Sequence, residues 1–152
     1  MSSPDGPLPL VYEPLDAAQD CTRLVRIEPA HNEAPIRCQL VPVKFSERPR
    51  YEALSYMWGD DSAKHPIFIN GKSFAVAKNL FDGLHFLRRC RTDGLFWIDA
   101  ICINQDDLQE KNRQIRIMPH IYFRAKTVLV WLGLKSVVRT DSLVLWSMYT
   151  CT

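Results

Sequence analysis

The sequence lacks most of the features that mark secreted, membrane-spanning or nucleic-acid-binding proteins. Its formal net charge is only +2 over 152 residues, too small to indicate a nucleic-acid or anionic membrane partner. No apolar run approaches the roughly 20 residues needed to cross a bilayer. The N-terminus also lacks the basic and apolar regions of a signal peptide. We therefore expect a soluble, cytoplasmic protein that binds neither nucleic acid nor membranes.

Closely spaced cysteines and a phosphate-binding loop are missing too. The five cysteines form no CxxC and no close pair, which predicts free thiols rather than a disulfide framework. Their spacing fits no standard zinc pattern, so we predict no metal site. No glycine-rich loop that could cradle a phosphate is present.

Alternating apolar residues predict β-structure after a flexible N-terminal arm of residues 1–20. The predicted strands are residues 22–27, 36–43, 51–58, 66–69 and 73–76. The first two form one hairpin. The last two form another through Asn70-Gly71, because both residues accept the positive φ of a type I′ turn.

Helical spacing of apolar residues appears twice in the second half of the chain. The first helix begins after the cap Asn79 and ends near Arg89. The second is capped by Asn104 or Asp106, and Pro119 within it predicts a kink or an early end. The predicted core positions of this second helix are Leu108, Ile115, Met118 and Tyr122.

Two apolar runs, residues 95–101 and 127–132, complete the predicted sheet. The first is apolar on both faces apart from Asp99, as expected of a central strand. Helix and strand alternate over residues 79–133, which favours parallel strands. We predict an α/β fold with a small, partly parallel sheet flanked by helices and N-terminal β-hairpins, over residues 21–133. Residues 134–152 form a tail or an incomplete final element of a truncated domain.

Three ordered segments carry the most specific patterns in the chain. They are YEALSYMWG at residues 51–59, WIDAICINQ at residues 97–105, and a third pattern made of Glu110-Lys111, Gln114, Met118, Ile121-Tyr122, Ala125 and residues 128–133. Together they resemble the signatures of the HET (heterokaryon incompatibility) domain of filamentous fungi. The resemblance extends from about residue 22 to residue 133.

The resemblance implies a function in fungal non-self recognition, where HET domains trigger programmed cell death. The domain would be a signalling module that associates with itself or with a protein partner, and it would need no cofactor. HET domains have also been compared with TIR domains, some of which cleave NAD. A TIR-like hydrolase with an NAD-like nucleotide as ligand or substrate is therefore the alternative.

Departures from the family pattern support a third alternative, an inactive truncated fragment. Pro119 occupies a position at which the family usually has a helix former. HET domains normally continue well beyond the segment at residues 128–133. The catalytic glutamate of TIR enzymes lies on a helix after the corresponding strand, whereas this chain has no glutamate after Glu110.

Asp99 and Glu52 are the candidate catalytic residues. Within a buried strand, Asp99 would have a raised pKa and could act as a site carboxylate. Alternatively, it accepts hydrogen bonds from backbone N–H groups in the loop after Trp58 and joins two strands, which is the interpretation we favour.

Five residues at the ends of predicted strands are candidates for ligand binding. They are Trp58, Gly59, Asp60, Asn104 and Gln105. Ligands of α/β sheets bind at the carboxyl ends of strands, where a tryptophan could stack on a base and an aspartate could bind a ribose. A helix cap explains Asn104 and Gln105 equally well. For Trp58, Gly59 and Asp60 we favour a simple turn in which Gly59 supplies a positive φ.

Glu110, Lys111 and Gln114 lie within one turn of the second predicted helix. They are expected to stabilise its exposed surface through i,i+4 contacts. The alternative is that they form a face that binds a protein partner.

Overall fold

The computed structural model describes residues 11–18, 20–58, 63–90 and 94–133. In these ranges a mixed sheet is combined with helices. The strands are β1 (Cys21–Ile27), β2 (Arg37–Lys44), β3 (Glu52–Tyr56), β4 (Lys64–Ile69), β5 (Lys72–Ala77), β6 (Leu95–Trp97) and β7 (Thr127–Trp131). The α-helices are α1 (Lys78–Cys90), α2 (Asp99–Cys102) and α3 (Leu108–Arg124). A single 3₁₀ turn (Phe45–Glu47) follows β2.

The seven strands form one sheet in the order β5-β4-β2-β1-β6-β3-β7. β3 lies parallel to both β6 and β7, and β2 lies parallel to β4. The pairs β1–β2, β1–β6 and β4–β5 are antiparallel. The predicted α/β fold with a partly parallel sheet is confirmed.

Both predicted hairpins are present, and the second has the expected turn. β4 and β5 pair from Ile69 and Lys72 outwards. Asn70 and Gly71 between them have φ angles of 51° and 79°, the two positive values of a type I′ turn. The turn residues are therefore consistent with the register of this hairpin.

Two tryptophans connect the sheet to helices. Trp131 of β7 packs against α1, where a Cβ on Gly83 would lie 3.2 Å from its ring and the ring of Phe86 lies 5.2 Å from it. Trp97 of β6 meets Tyr122 of α3 edge to face, with ring centroids 5.4 Å apart. The absence of a side chain at Gly83 thus leaves room for the Trp131 ring against α1, as close packing requires.

The predicted strand over residues 95–101 is wrong in its second half. β6 ends at Trp97 and Ile98 is extended, after which one turn of helix α2 begins at Asp99. The Cys102 N–H donates to the Ile98 carbonyl at 2.7 Å. Ile98, Ile101 and Cys102 are all buried, and their spacing fits a helical turn as well as a strand. A short apolar run cannot distinguish these structures.

Helix α3 also differs from the prediction in three respects. Its cap is Asp107, whose carboxylate accepts from the Glu110 N–H at 3.1 Å, rather than Asn104 or Asp106. Of the two predicted effects of Pro119, the early end is wrong, because the helix continues to Arg124. Two of its predicted core positions, Leu108 and Ile115, are exposed.

Outside these elements, the predicted arm is partly in contact with the domain. The Tyr12 hydroxyl donates to the Ile101 carbonyl at 2.7 Å. Cys21, Cys38 and Cys102 are free thiols as predicted, whereas Cys90 is in a disulfide. The predicted tail at 134–152 lies outside the described residues.

None of the helices in the described ranges combines the length and the apolar character needed to span a bilayer.

Candidate functional site

The carboxyl ends of β3 and β6 lie at the same edge of the sheet, because the two strands are parallel. A cavity of about 150 Å³ opens there, which we call the edge cavity. Residues from the end of β3, from α2 and from the second hairpin line it, including Tyr56, Trp58, Phe74, Ala100 and Gln105. This is the position at which α/β sheets commonly bind ligands.

Asp99 lies beside this cavity and connects the end of β3 to α2. Its carboxylate accepts from the Trp58 indole N–H at 3.3 Å and from the Ala100 N–H at 2.8 Å. The Tyr56 hydroxyl also donates to it. Asp99 therefore joins two segments, as the favoured interpretation requires, but the donors from β3 are side chains rather than backbone N–H groups.

The surroundings of Asp99 favour its neutral form. Burial raises the pKa of the Asp99 carboxyl, and its hydrogen bonds from Ala100, Trp58 and Tyr56 oppose that rise. The pKa of the Tyr56 hydroxyl is raised by burial and by the Asp99 charge, so the phenol stays protonated and remains a donor. A carboxyl with a raised pKa beside a cavity can accept and release protons.

Trp58 and Gln105 are the predicted ligand-binding residues that the structure brings together at the edge cavity. The ring of Trp58 is stacked on Tyr56 with centroids 6.4 Å apart and an interplanar angle of 4°, and 52% of the residue is exposed. The Gln105 amide donates to the Asp99 carbonyl at 3.1 Å. Together they give the cavity an aromatic surface and an oriented amide.

Asn104 has a different role from the predicted one. Its carbonyl oxygen Oδ1 accepts from the Asp106 N–H at 3.2 Å, so its side chain holds the turn before α3. It is absent from the residues lining the edge cavity. The other two predicted ligand-binding residues, Gly59 and Asp60, lie outside the described residues.

Glu52, the second candidate catalytic residue, lies at the opposite end of β3 from Tyr56. Four residues of strand correspond to about 13 Å. The Glu52 backbone is therefore well separated along β3 from the strand end that contacts Asp99.

The glutamate of the third signature is buried and paired. Glu110 lies 2.5 Å from the Arg23 guanidinium, and each side chain is 3% exposed. The second carboxylate oxygen of Glu110 accepts from the Asn104 N–H at 2.7 Å. Arg23 also donates to the Cys102 carbonyl at 3.2 Å. The ion pair thus connects β1, α2 and the start of α3 within the core.

Gln114 forms a second buried connection between α3 and the sheet. Its side-chain oxygen accepts from the Thr22 hydroxyl at 2.7 Å, and its amide donates to the Cys21 carbonyl at 3.0 Å. The Thr22 oxygen in turn accepts from the Trp97 indole at 3.1 Å. All these polar groups are satisfied internally, as burial requires.

The predicted exposed face of Glu110, Lys111 and Gln114 is therefore wrong for two of its members. Lys111 is partly exposed, but Glu110 and Gln114 face the core and are not accessible to a partner in this conformation. One signal was present in the sequence, since Glu110, Gln114 and the apolar Ile121 fall on one side of a helix. Because their partners Arg23 and Thr22 are far away in sequence, the polarity of Glu110 and Gln114 suggested that they face solvent.

Within the described ranges, no cluster of three or more His, Cys, Asp or Glu residues is placed to hold a metal ion.

Comparisons with known proteins agree with the three signatures. The family model described as heterokaryon incompatibility protein (HET) matches residues 51–146. The chain is similar to heterokaryon incompatibility protein 6, OR allele, of Neurospora crassa, with 38% identity over 125 residues that cover 73% of this chain and 18% of the relative. The chain thus spans less than a fifth of that protein's length. No solved structure matches the chain.

Proposed function

This chain belongs to the heterokaryon incompatibility (HET) family, and from that premise we propose that it is a signalling module that triggers cell death in fungal non-self recognition. The observation that carries the proposal is the connection between the family signatures. Trp58 of the first signature is hydrogen-bonded to Asp99 of the second. Glu110 of the third binds Asn104 of the second. The residues that define the family thus form one connected structure in this chain.

The proposal includes association with a second copy or another protein, and the outer face of α3 supports it. Leu108, Ile115 and Phe123 are exposed on this helix, and Phe123 is 86% exposed. Spacings of seven and eight residues place them on the same side of a helix. Exposed apolar residues along one face of a helix are a common component of protein interaction sites.

Expression in a filamentous fungus tests this function. We expect the wild-type chain to arrest growth, and Phe123→Ser to abolish the arrest at unchanged abundance. Leu132→Ser is the matched control, because Leu132 is also an exposed apolar residue but lies beyond β7. Sedimentation of the same variants shows which partner the outer face of α3 binds. If Phe123→Ser reduces self-association, the partner is a second copy of the chain.

Two results would contradict the proposal. If wild-type chain at high abundance leaves growth unchanged, it lacks the death-inducing function on its own. If Phe123→Ser and Leu108→Ser arrest growth as strongly as the wild type, the outer face of α3 is not the signalling surface.

A nucleotide hydrolase is the second candidate function, and the edge cavity favours it. The cavity combines the stacked Tyr56 and Trp58 rings with the Gln105 amide, and Asp99 beside it has a raised pKa. Such a site could hold a base and supply a proton. Incubation of the purified chain with NAD, followed by chromatography, is the direct test. Absence of turnover, together with an unchanged unfolding temperature in NAD, would exclude this candidate.

A further inference from the structure

We propose that a groove at the opposite end of β3 from the edge cavity binds a small organic phosphate monoester. The groove lies where β3 and β7 begin, whereas the edge cavity lies beyond the end of β3. Its volume is about 570 Å³, and Phe45, Ser46, Arg48, Tyr51 and Arg124 line it together with Pro49. This volume lies within the range of small-molecule sites.

Two buried rings give the groove an apolar part, beside the polar groups of Ser46, Arg48 and Arg124. Phe45 and Tyr51 are both buried, so only parts of their rings face the groove. The Tyr51 hydroxyl donates to the Ile121 carbonyl at 2.5 Å, which fixes the ring against α3. A ligand with an aromatic or aliphatic body would cover these surfaces on binding.

Two arginines give the groove its charge. The Arg124 guanidinium lies 5.4 Å from the Phe45 ring centroid and donates weakly to the Phe45 carbonyl at 3.5 Å. Neither Arg124 nor Arg48 forms an ion pair within the described part of the chain. Most of their N–H donors are thus available to a ligand. Guanidinium groups bind phosphate oxygens in paired hydrogen bonds, and two of them match a dianion.

The backbone at Arg48 indicates that its side chain has a function. Arg48 closes the 3₁₀ turn with φ 51° and ψ 58°, and its N–H donates to the Phe45 carbonyl. This left-handed conformation is favourable for glycine and strained for other residues. The turn needs only the backbone of residue 48. An arginine in a strained position, with its charge at a groove, is the pattern expected of a binding residue.

The probes are phenyl phosphate, inorganic phosphate and benzoate, titrated into the purified chain by calorimetry. We expect saturable binding of phenyl phosphate, weaker binding of inorganic phosphate because it leaves Phe45 and Tyr51 uncovered, and weaker binding of the singly charged benzoate. Arg48→Gly and Arg124→Gln should each weaken phenyl phosphate binding by about tenfold or more. Arg89→Gln, which removes one exposed charge on α1, is the control and should leave binding unchanged.

Arg48→Gly separates binding from folding. Glycine relieves the left-handed strain, so the variant should unfold at the same or a higher temperature while it loses binding. If Arg48→Gly loses both phenyl phosphate binding and its cooperative unfolding transition, Arg48 is needed for the fold. Its proposed role in binding is then overturned. Wild-type chain that binds no phenyl phosphate, benzoate that binds as tightly, or Arg89→Gln that weakens binding equally would each overturn the proposal.

Discussion

Arg23 and Glu110 form a buried ion pair in which each charge depends on the other. The pair as a whole contributes little net stability. Both charges are removed from water, and the cost of their desolvation offsets much of their attraction. Each has further partners, since Arg23 also donates to the Glu13 carbonyl at 2.6 Å. The pair is therefore best understood as a specific connection between β1 and α3.

Removal of one member of this pair should be strongly destabilising. Glu110→Ala leaves Arg23 charged and buried without its carboxylate, and we expect a loss of about 3–5 kcal/mol in the free energy of unfolding. Urea denaturation measures the loss. The control is Asp82→Asn, because Asp82 pairs with the exposed Lys78 at 2.8 Å and its loss should cost below about 1 kcal/mol. Equal losses in the two variants would contradict the burial argument.

Asp99 predicts a pH dependence of stability. Its pKa in the folded chain is raised above the usual 3.8 by burial, so between these two pKa values the folded state binds more protons than the unfolded state. The stability that Asp99 contributes is thus complete below pH 3.8 and is lost as the pH rises through the folded pKa.

Asp99→Asn removes this titration and keeps an acceptor for Trp58. Relative to wild type, the free energy of unfolding of the variant should become larger as the pH increases from 3 to 7, because only the wild type loses the Asp99 contribution. Urea denaturation at several pH values measures this difference. If the difference in free energy of unfolding between the variant and wild type does not change with pH, Asp99 has the same pKa in the folded and the unfolded state.

At the scale of elements, the start of α3 shows why local signals can be ambiguous. Asn104, Asp106 and Asp107 are all good caps by residue type. In the structure Asn104 holds the preceding turn and Asp107 caps the helix. Which residue caps α3 depends on the position that Glu110 must take to reach Arg23. The local sequence does not contain that information.

The cap assignment can be tested with two neighbouring aspartates. Asp107→Ala removes the acceptor for the Glu110 N–H and should lower the free energy of unfolding by about 1 kcal/mol. Asp106→Ala is the matched control and should have a much smaller effect, because in this turn the Asp106 N–H is the group that is hydrogen-bonded. A larger loss at Asp106 would contradict the assignment.

The whole molecule combines a continuous core with two separate surface features. One cluster of buried apolar residues extends from β1 through α1 and β6 to Trp131 of β7. The edge cavity and the groove lined by Arg48 and Arg124 lie at opposite ends of β3, so variants of one should leave the other unaffected. The two ends of β3 therefore lie beside two different surface sites.

A continuous core should unfold as one unit. We expect circular dichroism and tryptophan fluorescence to report the same midpoint in urea, because Trp97 and Trp131 lie in the core that holds the sheet together. Different midpoints for the two signals would show that part of the sheet unfolds independently, as an incomplete core would.

The sequence by itself determined the features that depend on neighbouring residues. Asn70-Gly71 predicted the second hairpin through turn geometry, the spacing of Leu80, Leu84 and Leu87 predicted α1, and the signatures predicted the family. Trp58 lines the edge cavity just after the end of β3, whereas Gln105 reaches the same cavity from the turn after α2.

Only the tertiary structure decided which polar residues are internal. Glu110 is buried because Arg23, 87 residues away, meets it in the core, and Gln114 is buried because Thr22, 92 residues away, does the same. Asp99 lies in a helical turn instead of a strand, where it accepts from Trp58, 41 residues distant. Arg48 and Arg124 likewise line one groove only in the folded chain. Burial of a polar group is stable only with its partner, and long-range partners are defined by the fold.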